Sequence, residues 1–247
     1  MALYLFVLER FHIDNTRSRH EDTDTVAFGV RAGSSQTLLQ SESVGDVNNG
    51  DHDVSMASPP LFMTAGGTPG VFSYMIYNGD TTKLGISLDD AAGKVIDLYA
   101  QQILEGGPSQ DPGAEIPDDP GIPDNATFDD PSWINVLEFA AIGSFFFPDC
   151  DGMVAADVIG RSKGDLDTAI DSAGGISYTQ TRRYPGTDSP AGCGSNSDYS
   201  VTWSVTRFRD DGTHSLRAFL EKSRAILQPG IRSLNNGQAM SVRDLLT

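Results

Sequence analysis

The most chemically loaded stretch of this sequence is His12-Ile-Asp14 followed by His20-Glu-Asp22 and Asp24. A metal-dependent hydrolase needs nitrogen and oxygen ligands that converge while one coordination position stays open. Alternation along a hairpin would bring His12, Asp14 and His20 to such a point. Against this, the stretch holds no HExxH pattern and no second histidine cluster matches it. Arg17 and Arg19 also stand where they would pair with the same carboxylates. A solvated turn laced with ion pairs is therefore the first expectation here, and the hydrolase its rival.

Acidic turns supply a second candidate. Asp149-Cys-Asp151-Gly152 has the look of a calcium loop, but with Gly152 at the sixth place Phe147 would be first and Val158 twelfth, so it is not an EF-hand. A β-sandwich can still hold calcium between loops from different strands, since carboxylates and carbonyls need not be contiguous. Asp14, Asp22, Asp24, Asp149, Asp151 and Asp188 are the metal ligands expected on that reading, with calcium as the cofactor. No catalytic residue is assigned. No Gly-x-Ser-x-Gly elbow is present, and Cys193 with His214 makes only a formal thiol nucleophile set. No phosphate loop or dinucleotide fingerprint appears. Trp133, the run 145–147 of three phenylalanines, and Trp203 would suit a sugar site, but large apolar side chains belong first to a core.

Composition narrows the partners. Of 247 residues, 34 are acidic and 17 basic, for a formal charge of -17, which repels phosphate backbones and anionic lipid surfaces. Nucleic acid is excluded as a partner on that ground, and no apolar run reaches the ~20 residues of a membrane-spanning helix. The opening Met1-Ala-Leu-Tyr-Leu-Phe-Val-Leu8 has no basic head, and Glu9 and Arg10 follow at once, so it reads as a first strand instead of a leader. A cytoplasmic location is the resulting expectation, with leaderless export still open. Cys150 and Cys193 both sit in turn-like contexts, and one disulfide between them would contribute about 3 to 4 kcal/mol. A reducing compartment would leave them as thiols.

The elements that must position these groups are mostly strands. Runs rich in β-branched and aromatic residues cover 2–12, 25–32, 36–41, 53–56 and 71–77, and the alternation of Tyr199, Val201, Trp203 and Val205 marks a half-buried strand over 199–208. Asn49-Gly50, Asn78-Gly79 and Asp211-Gly212 are dipeptides that suit tight hairpins. Ser87-Leu-Asp-Asp90 resembles a capping box, and Leu88, Ala91, Ala92, Val95, Ile96, Tyr99 and Ile103 follow at helical spacing until Gly106-Gly107. Further helices are expected from Asp130-Pro131 and over 215–227. Between the first two helices, 106–130 holds seven acidic residues, five prolines and no base, which predicts an exposed insertion. The expected fold is an antiparallel β-sandwich over 1–229 with one to three peripheral helices and this acidic loop, followed by a basic tail at 230–247.

With no catalytic constellation in the sequence, the first functional expectation is a non-enzymatic binding or self-assembly module stabilised by calcium. An acidic body and a tail bearing Arg232 and Arg243 offer a route to a homo-oligomer. The alternatives are the metal-dependent hydrolase on His12, Asp14 and His20, and a leaderless lectin with carbohydrate as its partner.

Overall fold

The computed structural model describes residues 2–18, 22–32, 36–81, 87–104, 152–186 and 196–209. Nine strands and two helices fall in them. In chain order they are β1 (Ala2–Asn15), β2 (Asp22–Ala32), β3 (Leu38–Val47), β4 (Gly50–Ala57), β5 (Leu61–Phe62), β6 (Gly70–Asn78), α1 (Leu88–Leu104), β7 (Gly152–Arg161), α2 (Lys163–Ser172), β8 (Ser177–Pro185) and β9 (Asp198–Arg209). One sheet has the order β4-β1-β9-β8 with β5 also on β1, and the other the order β3-β2-β6-β7. Every pairing is antiparallel.

The two sheets pack face to face as the expected sandwich. Period-two alternation sends Tyr199, Val201, Trp203 and Val205 of β9 and Val26, Phe28 and Val30 of β2 into one shared core, each at most 1% exposed. Phe72 of β6 bridges the layers, with its ring centroid 5.4 Å from Phe6 and 4.7 Å from Trp203. In β1 the inward parity changes from Phe6 and Leu8 to Phe11 and Ile13. A bulge between Leu8 and Arg10 absorbs the extra residue.

β6 is buried along its whole length because α1 covers the other face of its sheet. The expected cap is present: the Ser87 hydroxyl accepts from the Asp90 N–H at 3.3 Å and donates to the Asp90 carboxylate at 2.6 Å. Leu88, Ala91, Ala92, Val95, Ile96 and Tyr99 then face Ala27, Val71, Met75 and Val158. Gly29 lets the helix settle, since a Cβ there would stand 2.7 Å from the Ile96 Cδ1.

Two hairpins expected from Asn-Gly pairs are corrected. Gly50 and Gly79 do adopt positive φ, at 131° and 113°. Yet Asn49-Gly50 carries the chain from β3 in one sheet to β4 in the other, and Asn78-Gly79 leads out of β6 toward α1. The dipeptide encodes a local reversal, and the strands on either side of it pair elsewhere. Strands β7 and β8 and helix α2 were not expected. Both further helices anticipated from Asp130-Pro131 and over 215–227, the acidic insertion 106–130, Asp211-Gly212 and the tail 230–247 lie outside the described residues. Among the described residues no helix is long and apolar enough to cross a membrane.

Candidate functional site

Register places the sandwich connections at two poles with different finishes. At one pole, near the end of β9, Arg207 takes the next inward position after Val205, and it is 3% exposed. Helix α2 brings acids to it: Arg207 donates to the Asp167 carboxylate at 2.8 Å and also to that of Asp171. Asp167 accepts in addition from the Tyr4 hydroxyl at 2.6 Å and from Lys163 at 2.5 Å. Burial alone would raise the Asp167 pKa, but these bonds from Lys163, Tyr4 and Arg207 hold it well below the usual carboxylate range. A capping box on Ser162 and Asp165 starts α2, and Leu166 and Ile170 join the sandwich core.

The opposite pole gathers the end of β1 and start of β2, the end of β3 and start of β4, the end of β6, the start of β7, and the end of β8 and start of β9. Asparagines tie these ends together. Asn49 donates to the Asp14 carbonyl at 2.7 Å, Asn15 to the Asn196 carbonyl at 2.5 Å, and Asn78 accepts from the Thr23 N–H at 2.9 Å. The Gly186 N–H donates to the Ser197 carbonyl at 2.6 Å and closes the base of the β8–β9 connection. Where Gly152 opens β7, the missing side chain leaves room for the Arg17 guanidinium, whose Cζ a Cβ would approach to 2.9 Å.

Beneath these connections Asp22 and Asp24 point between the sheets, both at 0% exposure. They continue inward the stripe of Val26, Phe28 and Val30. The Asp22 carboxylate holds the β1–β2 turn by accepting the N–H groups of Arg17 and Ser18, each at 2.7 Å. From the facing sheet the Tyr199 hydroxyl lies 2.6 Å from Asp22 Oδ2 and 3.0 Å from Asp24 Oδ2. Its ring stacks on Phe11 at 5.9 Å. Burial and the two neighbouring carboxylates push the phenol pKa far up, so the hydroxyl keeps its one hydrogen. One hydrogen cannot serve both acids fully. Asp24 Oδ1 is buried with no partner among the described residues. Burial first, and the Asp22 charge second, raise the Asp24 pKa to about 8 against the pull of the Tyr199 bond. A carboxyl with that pKa is mostly protonated at pH 7, and Tyr199 is the donor to both acids.

The expected ligands divide. Asp22 and Asp24 come together, whereas Asp14 is exposed on the outer face of the sheet and pairs with His12 Nε2 at 3.4 Å. His12 Nδ1 lies 3.0 Å from Asp51, and the hydrogen bond to Asp51 is the main cause of its raised pKa. Asp51 was missed in the sequence, although it stands directly opposite His12 on β4. His20, Asp149, Asp151, Asp188, Cys150, Cys193 and His214 lie outside the described residues. Among the described residues no three His, Cys, Asp or Glu side chains converge to hold a metal ion.

A second buried network was also missed. Asp157 of β7 accepts from Arg182 of β8 at 2.5 Å and from the Tyr184 hydroxyl at 3.3 Å, and Tyr184 bonds to the Tyr74 hydroxyl. It joins the two sheets along their β7–β8 side. Trp203 and Tyr184 are core, as their size predicts. No family model, curated protein or solved structure matches the chain.

Proposed function

We propose that the chain is a non-enzymatic binding module whose recognition surface is the pole that carries the β1–β2, β3–β4 and β8–β9 connections. The observation that carries this reading is the contrast between the poles. One has its inward charge, Arg207, matched by two acids of α2. The other places two carboxylates beneath the β1–β2 and β3–β4 connections, which cross from sheet to sheet; among the described residues Asp24 Oδ1 has no hydrogen-bond partner there, as Arg207 Nε has none at the first pole, so the contrast is one of charge. Binding surfaces of sandwiches are built from the loops at one end of a rigid scaffold.

The sheet edges are less suited to the task. β3 carries a bulge beside Gly45 at φ 82°, β4 holds Ser55 at φ 53° opposite the β1 bulge, and β8 ends in Pro185. Such irregularities oppose strand addition. Self-assembly then falls to the basic tail, and deleting 230–247 while following mass by light scattering at low and high salt tests it. A mass unchanged by the deletion removes tail-mediated assembly.

The pole itself is tested by amide chemical-shift mapping with calcium, with a set of glycans and with increasing protein concentration. Shifts confined to Asn15–Ser18, Asn48–Gly50, Asn78–Asp80 and Asn196–Asp198 are the expected result. Shifts centred on α1 or β3 overturn the reading, as does stoichiometric zinc or manganese together with hydrolytic activity, which belongs to the hydrolase of His12, Asp14 and His20.

A further inference from the structure

The outward side chains of β1 and β9 build a separate apolar cluster on the face of their sheet that points away from the sandwich core. Leu5, Val7, Ala57 and Phe208 form it with Leu3 packed against them, and all of these come from β1, β4 or β9. Register sets Leu3 between Phe208 of β9 and Phe62 of β5. Side chains on a sheet face open to water stay partly wet, yet Leu5 is 0% exposed, Val7 4% and Phe208 6%. Ser204 and Thr206, outward on β9, are buried as well. The described helices lie elsewhere: α1 packs on β2, β3, β6 and β7, and α2 sends Leu166 and Ile170 into the sandwich core.

We infer that this face is the docking surface for the chain's own segment 215–227, which lies outside the described residues and packs here as an amphipathic helix. Leu216, Phe219, Leu220, Ile226 and Leu227 recur at a spacing that puts them on one helical stripe. The path of the chain favours this occupant. β9 ends at Arg209, beside Phe208, and Asp211-Gly212 suits a reversal that sends the following residues back along the sheet. A helix over 215–227 is about 20 Å long, roughly the rise of six strand residues, which spans the face from the level of Leu3 to that of Glu9. The other long segment, 105–151, leaves from α1 and returns at β7, both on the opposite sheet. Charge agrees with the path. Arg217, Lys222 and Arg224 outnumber Glu221, while Glu9, Asp51 and Asp53 stand on the same sheet face beyond the apolar cluster. Exposed ion pairs of this kind orient the helix weakly, and the apolar stripe supplies the affinity. Each sheet then carries one helix on its outer face. The docking goes beyond the reading of the loop-bearing pole, and a chain cut back to Pro229 keeps it.

The test uses the full chain with isotope-labelled leucine and valine methyl groups. Nuclear Overhauser contacts from the Leu5 and Val7 methyls to the Phe219 ring and to Leu216 or Leu220 are the expected result. In Phe219→Ala the Leu5 and Val7 methyl resonances move, and their broadening by a soluble paramagnetic chelate rises several-fold. Val26 and Val30, in the sandwich core, keep their positions in that variant and show that the fold stands. Glu221→Gln, on the far side of the stripe, leaves all of these methyls in place. Contacts from Leu5 and Val7 to 105–151 overturn the assignment. So do contacts that appear only between labelled and unlabelled chains in a mixed sample, which make the occupant a second copy. Leu5 and Val7 methyls that Phe219→Ala leaves unmoved and no more broadened overturn it as well.

Discussion

Replacing Asp24 with asparagine converts its pH dependence into a measurable difference in stability. In the folded chain Asp24 keeps its proton up to about pH 8, against an ordinary value of 3.8. The folded state therefore binds more protons than the unfolded state between those values. Stability from this group is full below about pH 4 and falls as pH rises, by about 1.4 kcal/mol per pH unit, until Asp24 ionises near pH 8. Across the whole interval the loss is on the order of 5 kcal/mol. Asp24→Asn keeps the shape and has no proton to lose. Urea unfolding of both proteins with chelator present, at pH 5, 6.5 and 8, should show wild type losing ground to the variant by about 4 kcal/mol across that range. Asp167, whose pKa is lowered, contributes with the opposite sign at more acidic pH and is common to both proteins, so it cancels in the difference. Parallel curves would refute the premise that the Asp22–Tyr199–Asp24 group holds one charge.

Three further outcomes can be measured by chemical or thermal denaturation. Arg207→Met should cost about 3 kcal/mol, because it leaves Asp167 and Asp171 without their buried partner. Arg182→Met should destabilise by a similar amount at pH 7 and recover toward pH 5. Burial already raises the Asp157 pKa, and once the Arg182 charge is gone the folded state favours the protonated acid further, so stability is regained as pH falls. Gly160→Ala should cost about 1 to 3 kcal/mol by displacing Tyr99 of α1, since the new Cβ would stand 2.4 Å from its ring.

The sandwich was legible because β9 and β6 announce themselves. β9 alternates cleanly, and β6 is an apolar run of the length that a strand covered on both faces requires. Helix α1 was legible from its cap and its 3.6-residue spacing. What hid β8 is its composition: Ser177 to Pro185 has polar residues on both faces, with Arg182 turned to a buried acid, so no apolar stripe marks it. Helix α2 is short and shows three buried side chains, Leu166, Ala169 and Ile170. Its cap, Ser162 with Asp165, was present in the sequence but preceded no strong apolar run. Asp22 and Asp24 were singled out as acids in a turn, whereas β2 begins at Asp22. Extending the alternation of Val26, Phe28 and Val30 backward by two steps places both carboxylates inside.

The same sequence device thus gives opposite results at the two ends of the sandwich. In β2 and in β9 an inward apolar stripe terminates in charged residues held in phase with it: Asp24 and Asp22 in one, Arg207 in the other. Alternation forces all three charges indoors. At the α2 pole the counter-charges come from the helix that precedes β8, and they fix α2 to the sheet although Arg207 Nε has no hydrogen-bond partner among the described residues. At the opposite pole the partners among the described residues are backbone N–H groups and a single phenol, which can satisfy one carboxylate and part of another. A purely structural role would be met more cheaply by Asn or Ser in place of Asp24, since neither buries a charge. Asp24 instead keeps one buried carboxyl oxygen with no hydrogen-bond partner among the described residues.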